Sequence, residues 1–242
     1  MKNNLLKFGD PNAKLKKMTK KLGVTLKTFT LPAGHTCPGA RDCLSRADRE
    51  TGKVTDGEHT EFRCFMATAE ARSPSLRKLT WHNLELIQEA LKKGGTAELV
   101  NLIEASLPDR FNVMRVHVGG DYFSREYFKA WCHVAAHHPD KVFYSYTKSL
   151  AIVKGVDKPS NLVLTASRGG KWDNEIDKQG WKEARVVYSE EEAEKLGLVI
   201  DHDDTSAAFG SDNFALLIHG TQPKGSAASQ AVQKLKKRVA RA

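Results

Sequence analysis

The sequence predicts an α/β protein whose single domain, residues 1–242, folds as a parallel (β/α) barrel, complete or partial. Seven stretches have the length and the β-branched or aromatic composition of strands, and helical stretches alternate with most of them. A flat, doubly wound sheet is the less favoured arrangement of such units. The predicted strands are residues 24–31, 112–118, 142–146, 161–165, 185–188, 198–200 and 214–218.

Polar and glycine residues follow directly after several of these strands. In parallel α/β folds the loops at the carboxyl ends of the strands form the binding site. We therefore expect one site built from several separate segments of the chain. Those segments begin at Cys37 and continue with residues 119–121, 147–149, 167–170 and 219–222.

Composition limits the classes of function. The chain carries 38 Lys and Arg against 29 Asp and Glu, a formal net charge of +9, and much of the excess lies near its two ends. This charge favours anionic partners such as nucleic acid, but a solvated surface is the favoured interpretation of the basic run at residues 14–21. No continuous apolar run begins the chain, so we expect a cytoplasmic protein without a membrane segment. No phosphate-binding G-x4-G-K-[ST] motif is present.

A stretch at residues 32–66 holds three of the four cysteines. Cys37 and Cys43 lie in a loop that follows the first strand, and Cys64 comes after a charged, glycine-rich excursion at residues 48–61, which we expect to be exposed and mobile. Irregular spacing in a reducing compartment argues against a disulfide framework. Metal binding, catalysis or plain burial of the thiols remain.

Soft thiolate ligands suit zinc or an iron–sulfur cluster. The spacing C-x5-C-x20-C lacks the paired C-x2-C units of zinc ribbons, so zinc is the weaker interpretation. Three unligated thiols are the alternative, although Cys37 and Cys43 lie among polar and glycine residues without an apolar period.

Two packing helices are predicted after the cysteines. Ser73 is placed as the N-cap of the first and Pro74 at its first position, and apolar residues recur at helical spacing until Gly94-Gly95. The second helix covers residues 96–107.

The strand at residues 112–118 is predicted to carry Arg115 and His117 on one polar face. Since both faces of a parallel sheet are normally buried, a polar face suggests the lumen of a barrel near a ligand. Gly119-Gly120-Asp121 follows, and then a helix at residues 125–137 whose apolar stripe contains Cys132, which we therefore assign to the core.

The end of the chain, residues 226–242, predicts a basic helix with Val232, Leu235 and Val239 on one stripe. Docking of that stripe on the body is favoured over a role in RNA binding. The acidic segment at residues 201–204 is interpreted as a solvated loop in preference to a cation site.

Four separated motifs resemble the phage gene-product-88 family, in the same order and over about residues 24–222. They are Leu31–Ala40 (LPAGHTCPGA), Arg63-Cys64-Phe65, residues 115–124 (RVHVGGDYFS) and residues 143–149 (FYSYTKS). The resemblance implies a phage-encoded protein, located in the cytoplasm of the infected host cell.

The layout is also distantly similar to the radical S-adenosylmethionine (SAM) superfamily. That likeness implies a partial barrel of the TIM type, a [4Fe-4S] cluster held by three cysteines after the first strand, and a Gly-Gly-Glu segment that contacts the SAM amino group. Gly119, Gly120 and Asp121 stand in the corresponding place. This chain departs from the compact C-x3-C-x2-C loop, because twenty residues separate Cys43 from Cys64, and aspartate replaces glutamate.

The predicted metal ligands are therefore Cys37, Cys43, Cys64 and, as first choice for the fourth position of a [4Fe-4S] cluster, His117. His219, His35, Cys132 or an exogenous ligand are the alternatives for that position. Gly119, Gly120, Asp121 and Arg115 are predicted to bind a cofactor, SAM being one candidate, and Arg115 is suited to an anion or carboxylate.

Three functions follow from these assignments. The first is an iron–sulfur protein with a redox or electron-transfer role, acting with an unknown redox partner or small-molecule substrate. The second is a radical SAM-type enzyme on an unknown substrate. The third, a basic nucleic-acid-binding module, is not favoured. No catalytic residue is assigned, and whether the chain is an enzyme is left open.

Overall fold

The computed structural model describes residues 4–239 and contains a seven-stranded sheet whose pairings are all parallel. All seven predicted strands are present, which confirms an α/β fold. The strands, including a separate antiparallel hairpin of β2 and β3, are β1 Leu26–Thr28, β2 Ser45–Ala47, β3 Val54–Asp56, β4 Val113–Arg115, β5 Val142–Thr147, β6 Leu162–Ser167, β7 Glu183–Val187, β8 Val199–Ile200 and β9 Phe214–Leu217.

The strand order in the sheet is β1-β4-β5-β6-β7-β9-β8. Within residues 4–239, β1 and β8 each pair on one side only, so closure into a complete barrel is not seen. The outer edge of β1 is occupied instead: Gly9 and Thr28 exchange backbone hydrogen bonds of 2.8 and 2.9 Å in an antiparallel bridge. At the other edge, β8 has only two residues.

Helices cover both faces of the sheet. They are α1 Ala13–Leu22, α2 Phe65–Arg72, α3 Pro74–Ser106, α4 Arg125–His137, α5 Leu150–Val153, α6 Asn174–Gln179, α7 Glu190–Lys195, α8 Thr205–Phe209 and α9 Ala227–Val239. On one face, α3 and α4 bury a large core around Phe29, Trp131 and Phe143. On the other face, Leu15 of α1 packs with Phe214 and the small side chains of α8.

The two predicted helices are confirmed as the halves of α3. Ser73 caps the first half by accepting the Leu76 N–H at 3.2 Å, and Gly94 and Gly95 leave the helical conformation, with φ values of −152° and 62°. In α4, Cys132 is buried in the core, as predicted. Within residues 4–239, no helix combines the length and the apolar character needed to cross a bilayer.

Both basic ends are helical. Residues 14–21 lie in α1, which buries Leu15 and Met18 and leaves most of its lysines exposed. Helix α9 docks on the body, as predicted, through Val232 and Leu235 of the predicted stripe and also through Ala228 and Ala231. Residues 240–242 of the predicted C-terminal helix lie outside the described range, and nucleic-acid contact by either end stays a prediction.

The excursion at residues 48–61 is mostly exposed, as predicted, and it forms the β2–β3 hairpin together with residues 45–47. One local expectation is wrong. Arg115 and His117 do not share a face, because β4 ends at Arg115 and His117 has a φ of 69°. The strand alternation stops there, and the imidazole lies in the core beneath α4, against Tyr127.

Gly120→Ala should destabilise the protein by about 2–4 kcal/mol. Gly120 has a φ of +84°, and a methyl group there would lie 2.6 Å from both Leu31 Cβ and Thr36 Oγ1. Gly180→Ala is the matched control, because Gly180 also has a positive φ, +60°, but nothing lies within 4 Å of the added carbon. It should cost only about 1 kcal/mol. Urea unfolding measures both, and equal losses would show that the close contacts do not matter.

Candidate functional site

A cavity of ≈ 610 Å³ opens at the carboxyl ends of the sheet strands. Loops from β1, β4, β5, β8 and β9 contribute to its wall, so the structure brings together segments that are far apart in sequence. Its volume lies in the range of small-molecule sites, about 300–1,000 Å³. The eight residues predicted to bind metal or cofactor all line it: Cys37, Cys43, Cys64, Arg115, His117, Gly119, Gly120 and Asp121.

The three cysteines reach this cavity from two structural elements. Cys37 and Cys43 lie in the loop between β1 and β2, and Cys64 is the N-cap residue of α2. All three are free thiols. The Asp42 carbonyl accepts the N–H groups of Glu61 and Phe62, at 2.8 and 3.1 Å. These bonds close the hairpin excursion at its base and return the chain to the neighbourhood of Cys43.

Burial raises the pKa of all three thiols. The pKa of Cys64 rises to about 12, and that of Cys37 is further raised by Asp121 and by the other two cysteines. Lys148 opposes the rise in the pKa of Cys43. Backbone N–H groups also oppose it, those of Met66 and Ala67 for Cys64 and that of Gly34, 3.3 Å from the sulfur, for Cys37. The thiols are therefore neutral at neutral pH unless a cation stabilises their charged forms.

Several contacts fix the cysteine loop. Gly39 packs directly on the Lys148 carbonyl, where a side chain would overlap it, and its own carbonyl accepts the Lys171 N–H at 2.9 Å. At the start of the loop, Ala33 N–H donates to the buried Glu70 carboxylate of α2 at 2.9 Å. Loop and helix, and therefore Cys37 and Cys64, are held in one arrangement.

Asp121 is bound by four protein donors. One carboxylate oxygen accepts the Tyr122 N–H and the Thr147 hydroxyl, both at 2.7 Å. The other accepts the N–H groups of Lys148 and Ser149, at 2.8 and 3.2 Å. Burial raises the pKa of Asp121, and these donors oppose that rise. The Asp121 carboxylate therefore joins the loop after β4 to the end of β5. Its role in cofactor binding stays a prediction, and these contacts do not favour it because they already occupy both carboxylate oxygens.

The His117 imidazole is also committed to the protein. One ring nitrogen lies 2.8 Å from the Tyr127 hydroxyl and the other 3.4 Å from the Ser145 hydroxyl. Burial and the charge of Arg115 lower the pKa of His117 to about 3, so the ring is neutral. These contacts describe a hydrogen-bonded core residue, and ligation by His117 stays a prediction.

The other candidates for the fourth position lie apart from one another. His35 Nε2 is 3.0 Å from the Ala47 carbonyl, with its ring against Trp81, and Cys132 is on the core-facing side of α4. The His219 ring lies at the cavity, 5.0 Å from Phe65 between ring centroids. Across residues 4–239, no group of three or more His, Cys, Asp or Glu side chains is arranged to hold a single metal ion.

Another part of the cavity wall is a charged network that the sequence did not reveal. The fully buried carboxylate of Asp204 forms ion pairs with Arg115 and Lys14, each at 2.6 Å. It also accepts hydrogen bonds from the hydroxyls of Tyr144 and Tyr146, each at 3.1 Å. The interpretation of residues 201–204 as a solvated loop is therefore wrong for Asp204, because its partners belong to α1, β4 and β5. Asp204 also has a positive φ of 68°, and no pattern in the neighbouring sequence predicts this backbone conformation.

The model of the gene product 88 family matches residues 4–238. The chain belongs to this family, which confirms the family resemblance of its four motifs. No curated protein and no solved structure matches the chain. The likeness to the radical SAM superfamily is not shown by these comparisons.

Asp121→Asn should lower the free energy of unfolding by about 2–4 kcal/mol, because the amide NH₂ would face two donors that the carboxylate now satisfies. Asp109→Asn, at an exposed position, is the matched control and should be neutral. Urea unfolding measures both variants. Wild-type stability of the Asp121 variant would contradict the assignment of Asp121 as the link between the two loops.

Glu70 predicts a pH dependence of stability. Burial raises its pKa from 4.5 to about 7, so between these values the folded state keeps a proton that the unfolded state releases. This contribution is fully present below pH 4.5 and is lost as the pH rises through 7. Relative to Glu70→Gln, the wild type should lose about 3 kcal/mol from pH 4.5 to 8. Denaturant unfolding at several pH values tests this, and the exposed Glu89→Gln control should follow the wild type.

Proposed function

We propose that this member of the gene product 88 family binds an iron–sulfur cluster, of the [4Fe-4S] type, through Cys37, Cys43 and Cys64, and uses it in a redox reaction. The observation that carries the proposal is the convergence of these free thiols on one cavity wall from separate segments of the chain. Cysteine thiolates are the usual ligands of iron–sulfur clusters.

The surroundings of the thiols support a cationic occupant. Desolvation and the neighbouring cysteines raise the pKa of the Cys37 thiol, so it stays protonated when no cation is present. An iron–sulfur cluster would bind the three sulfurs as thiolates, with release of the thiol protons. The N–H groups of Gly34, Met66 and Ala67 point at the sulfurs of Cys37 and Cys64. Such hydrogen bonds stabilise negative charge on a cluster sulfur and tune its potential.

The ligands of a single metal ion surround one point, and residues 4–239 contain no such group. The thiolates of a cluster bind separate irons and lie farther apart, so the absence of a single-ion site is compatible with a shared cluster. Three thiolates leave one iron without a cysteine. Cys132 lies on the core-facing side of α4, so the fourth position falls to another cavity residue, of which His219 is one, or to a small molecule.

A radical SAM-type enzyme is the second candidate. The cavity beside the cysteines favours it, because an electron-transfer protein has no need of a small-molecule site of ≈ 610 Å³. Gly119 and Gly120, which the sequence layout likens to the SAM-contacting segment of that superfamily, line the same cavity. The saturated Asp121 carboxylate leaves such contact to the backbone of this segment.

Anaerobic reconstitution with iron and sulfide tests the cluster. The wild type should take up about four irons and four sulfides per chain and show a visible charge-transfer absorption and a reduced-state spin-resonance signal. Replacement of Cys37, Cys43 and Cys64 by Ala should abolish all of these. Cys132→Ala is the matched control, because it also removes a thiol but from the core, and it should reconstitute like the wild type.

A colourless protein whose only stoichiometric metal is zinc would overturn the proposal, as would equal cluster content in the triple variant. Adding SAM to the reduced, reconstituted protein separates the two candidates. A changed spin-resonance spectrum and formation of 5′-deoxyadenosine support the SAM enzyme, and an unchanged spectrum supports the redox protein.

A further inference from the structure

Arg115, on the cavity wall, uses little of its hydrogen-bonding capacity. A guanidinium carries five N–H groups, and within residues 4–239 only Nη1 donates to a protein acceptor, Asp204 Oδ2 at 2.6 Å. The Nε–H group is buried without a partner. Because the side chain is only 10% exposed, bulk water compensates little of this deficit. The planar fork of arginine is suited to two parallel hydrogen bonds with one oxyanion.

The guanidinium is also held in position. It lies over the Tyr146 ring, 5.1 Å from the centroid, while its partner Asp204 is fixed by the hydroxyls of Tyr144 and Tyr146. A fixed cation loses little conformational entropy when a ligand binds. Arg115 is therefore pre-organised, although its pairing with the protein is incomplete.

A second positive group lies at the same wall. Lys14 Nζ binds the other oxygen of Asp204 at 2.6 Å, so two cations share one carboxylate. Asn12, Ala13 and Lys14, at the N-terminus of the ten-residue helix α1, also line the cavity, and that end of a helix favours anions. Asp201 is another acid at this wall: its Oδ1 accepts the N–H groups of Asp203 and Asp204, and its Oδ2 is buried without a partner among the described residues.

We infer that the cavity binds a small molecule through an oxyanion group, a carboxylate or a phosphate, which docks on the guanidinium of Arg115 with help from Lys14 and the N-terminus of α1. This inference does not rest on the cluster, because the residues that carry it belong to the wall formed by α1, β4 and β5. It assigns a class of ligand to the cavity whichever redox chemistry the cysteines support.

Titration of the metal-free protein with acetate and with inorganic phosphate tests the inference. The signal of the Arg115 Nε–H group, identified by its absence in Arg115→Lys, should shift to saturation in ¹H–¹⁵N spectra. Sodium chloride at equal ionic strength should not shift it. The stronger of the two probes tells whether the group recognised is a carboxylate or a phosphate.

Substitutions measure how much Arg115 and Lys14 each contribute to anion affinity. The titrations follow the backbone N–H signal of Ala13, which the wild type and all variants retain. Arg115→Lys keeps the charge but loses the fork, and should weaken binding about tenfold. Lys14→Gln should weaken it about threefold. Lys16→Gln is the matched control, because Lys16 lies on the same helix, is exposed and does not line the cavity.

An equal response to chloride, or unchanged affinity in Arg115→Lys, would overturn the inference. If Arg115→Lys does not fold, Lys14→Gln against Lys16→Gln decides it, and equal affinities of these two variants count against the site. Since these titrations need no metal, they can fail while cluster reconstitution succeeds, and the reverse also holds.

Discussion

The Asp121 carboxylate is the contact on which the arrangement of the cavity depends. Its four hydrogen bonds join the loop after β4 to the turn at the end of β5. The Lys148 carbonyl of that turn lies directly against Gly39 in the cysteine loop, and Gly119 accepts the Leu31 N–H at 2.9 Å from the segment after β1. Three loops, which belong to three neighbouring parallel strands, are thus linked through one buried side chain.

The long interval between Cys43 and Cys64 is consistent with one compact site. The excursion folds on itself as the β2–β3 hairpin, and the Asp42 carbonyl closes its base through Glu61 and Phe62. The entropy of closing a loop grows only slowly with its length, so an insertion that carries its own pairing costs little. Glu70 then connects α2, which begins after Cys64, to the segment before Cys37. The folded hairpin brings Cys64 back towards Cys43, which a compact cysteine motif achieves by short spacing in the sequence.

The sequence was sufficient for the strands of the sheet and for the position of the cysteine loop, because both leave local patterns: apolar strands, glycine turns, and thiols outside any apolar period. Closure into a barrel has no such pattern, and the structure does not show it. Two features of the site leave no such pattern. His117 was assigned to the face of Arg115 by strand alternation, which holds only while the backbone stays extended, and a φ of 69° ends it. Asp204 was interpreted from its acidic neighbours, but its partner Arg115 lies 89 residues away in sequence. Burial of a charge depends on that distant partner, which no local window contains.

The two walls of the cavity differ in a way that gives the two proposals a common consequence. One part of the wall carries the neutral, half-buried thiols to which we assign the proposed cluster, and another carries the fixed cations Arg115 and Lys14. A small molecule anchored by its oxyanion at the cationic wall has its orientation fixed, because a bidentate contact defines direction as well as position. The opposite end of that molecule is then directed away from Arg115 and into the remaining cavity, whose wall includes Cys37, Cys43 and Cys64. Recognition and redox chemistry would thus be assigned to different groups, so that the cations determine which molecule enters and the cysteines determine what happens to it.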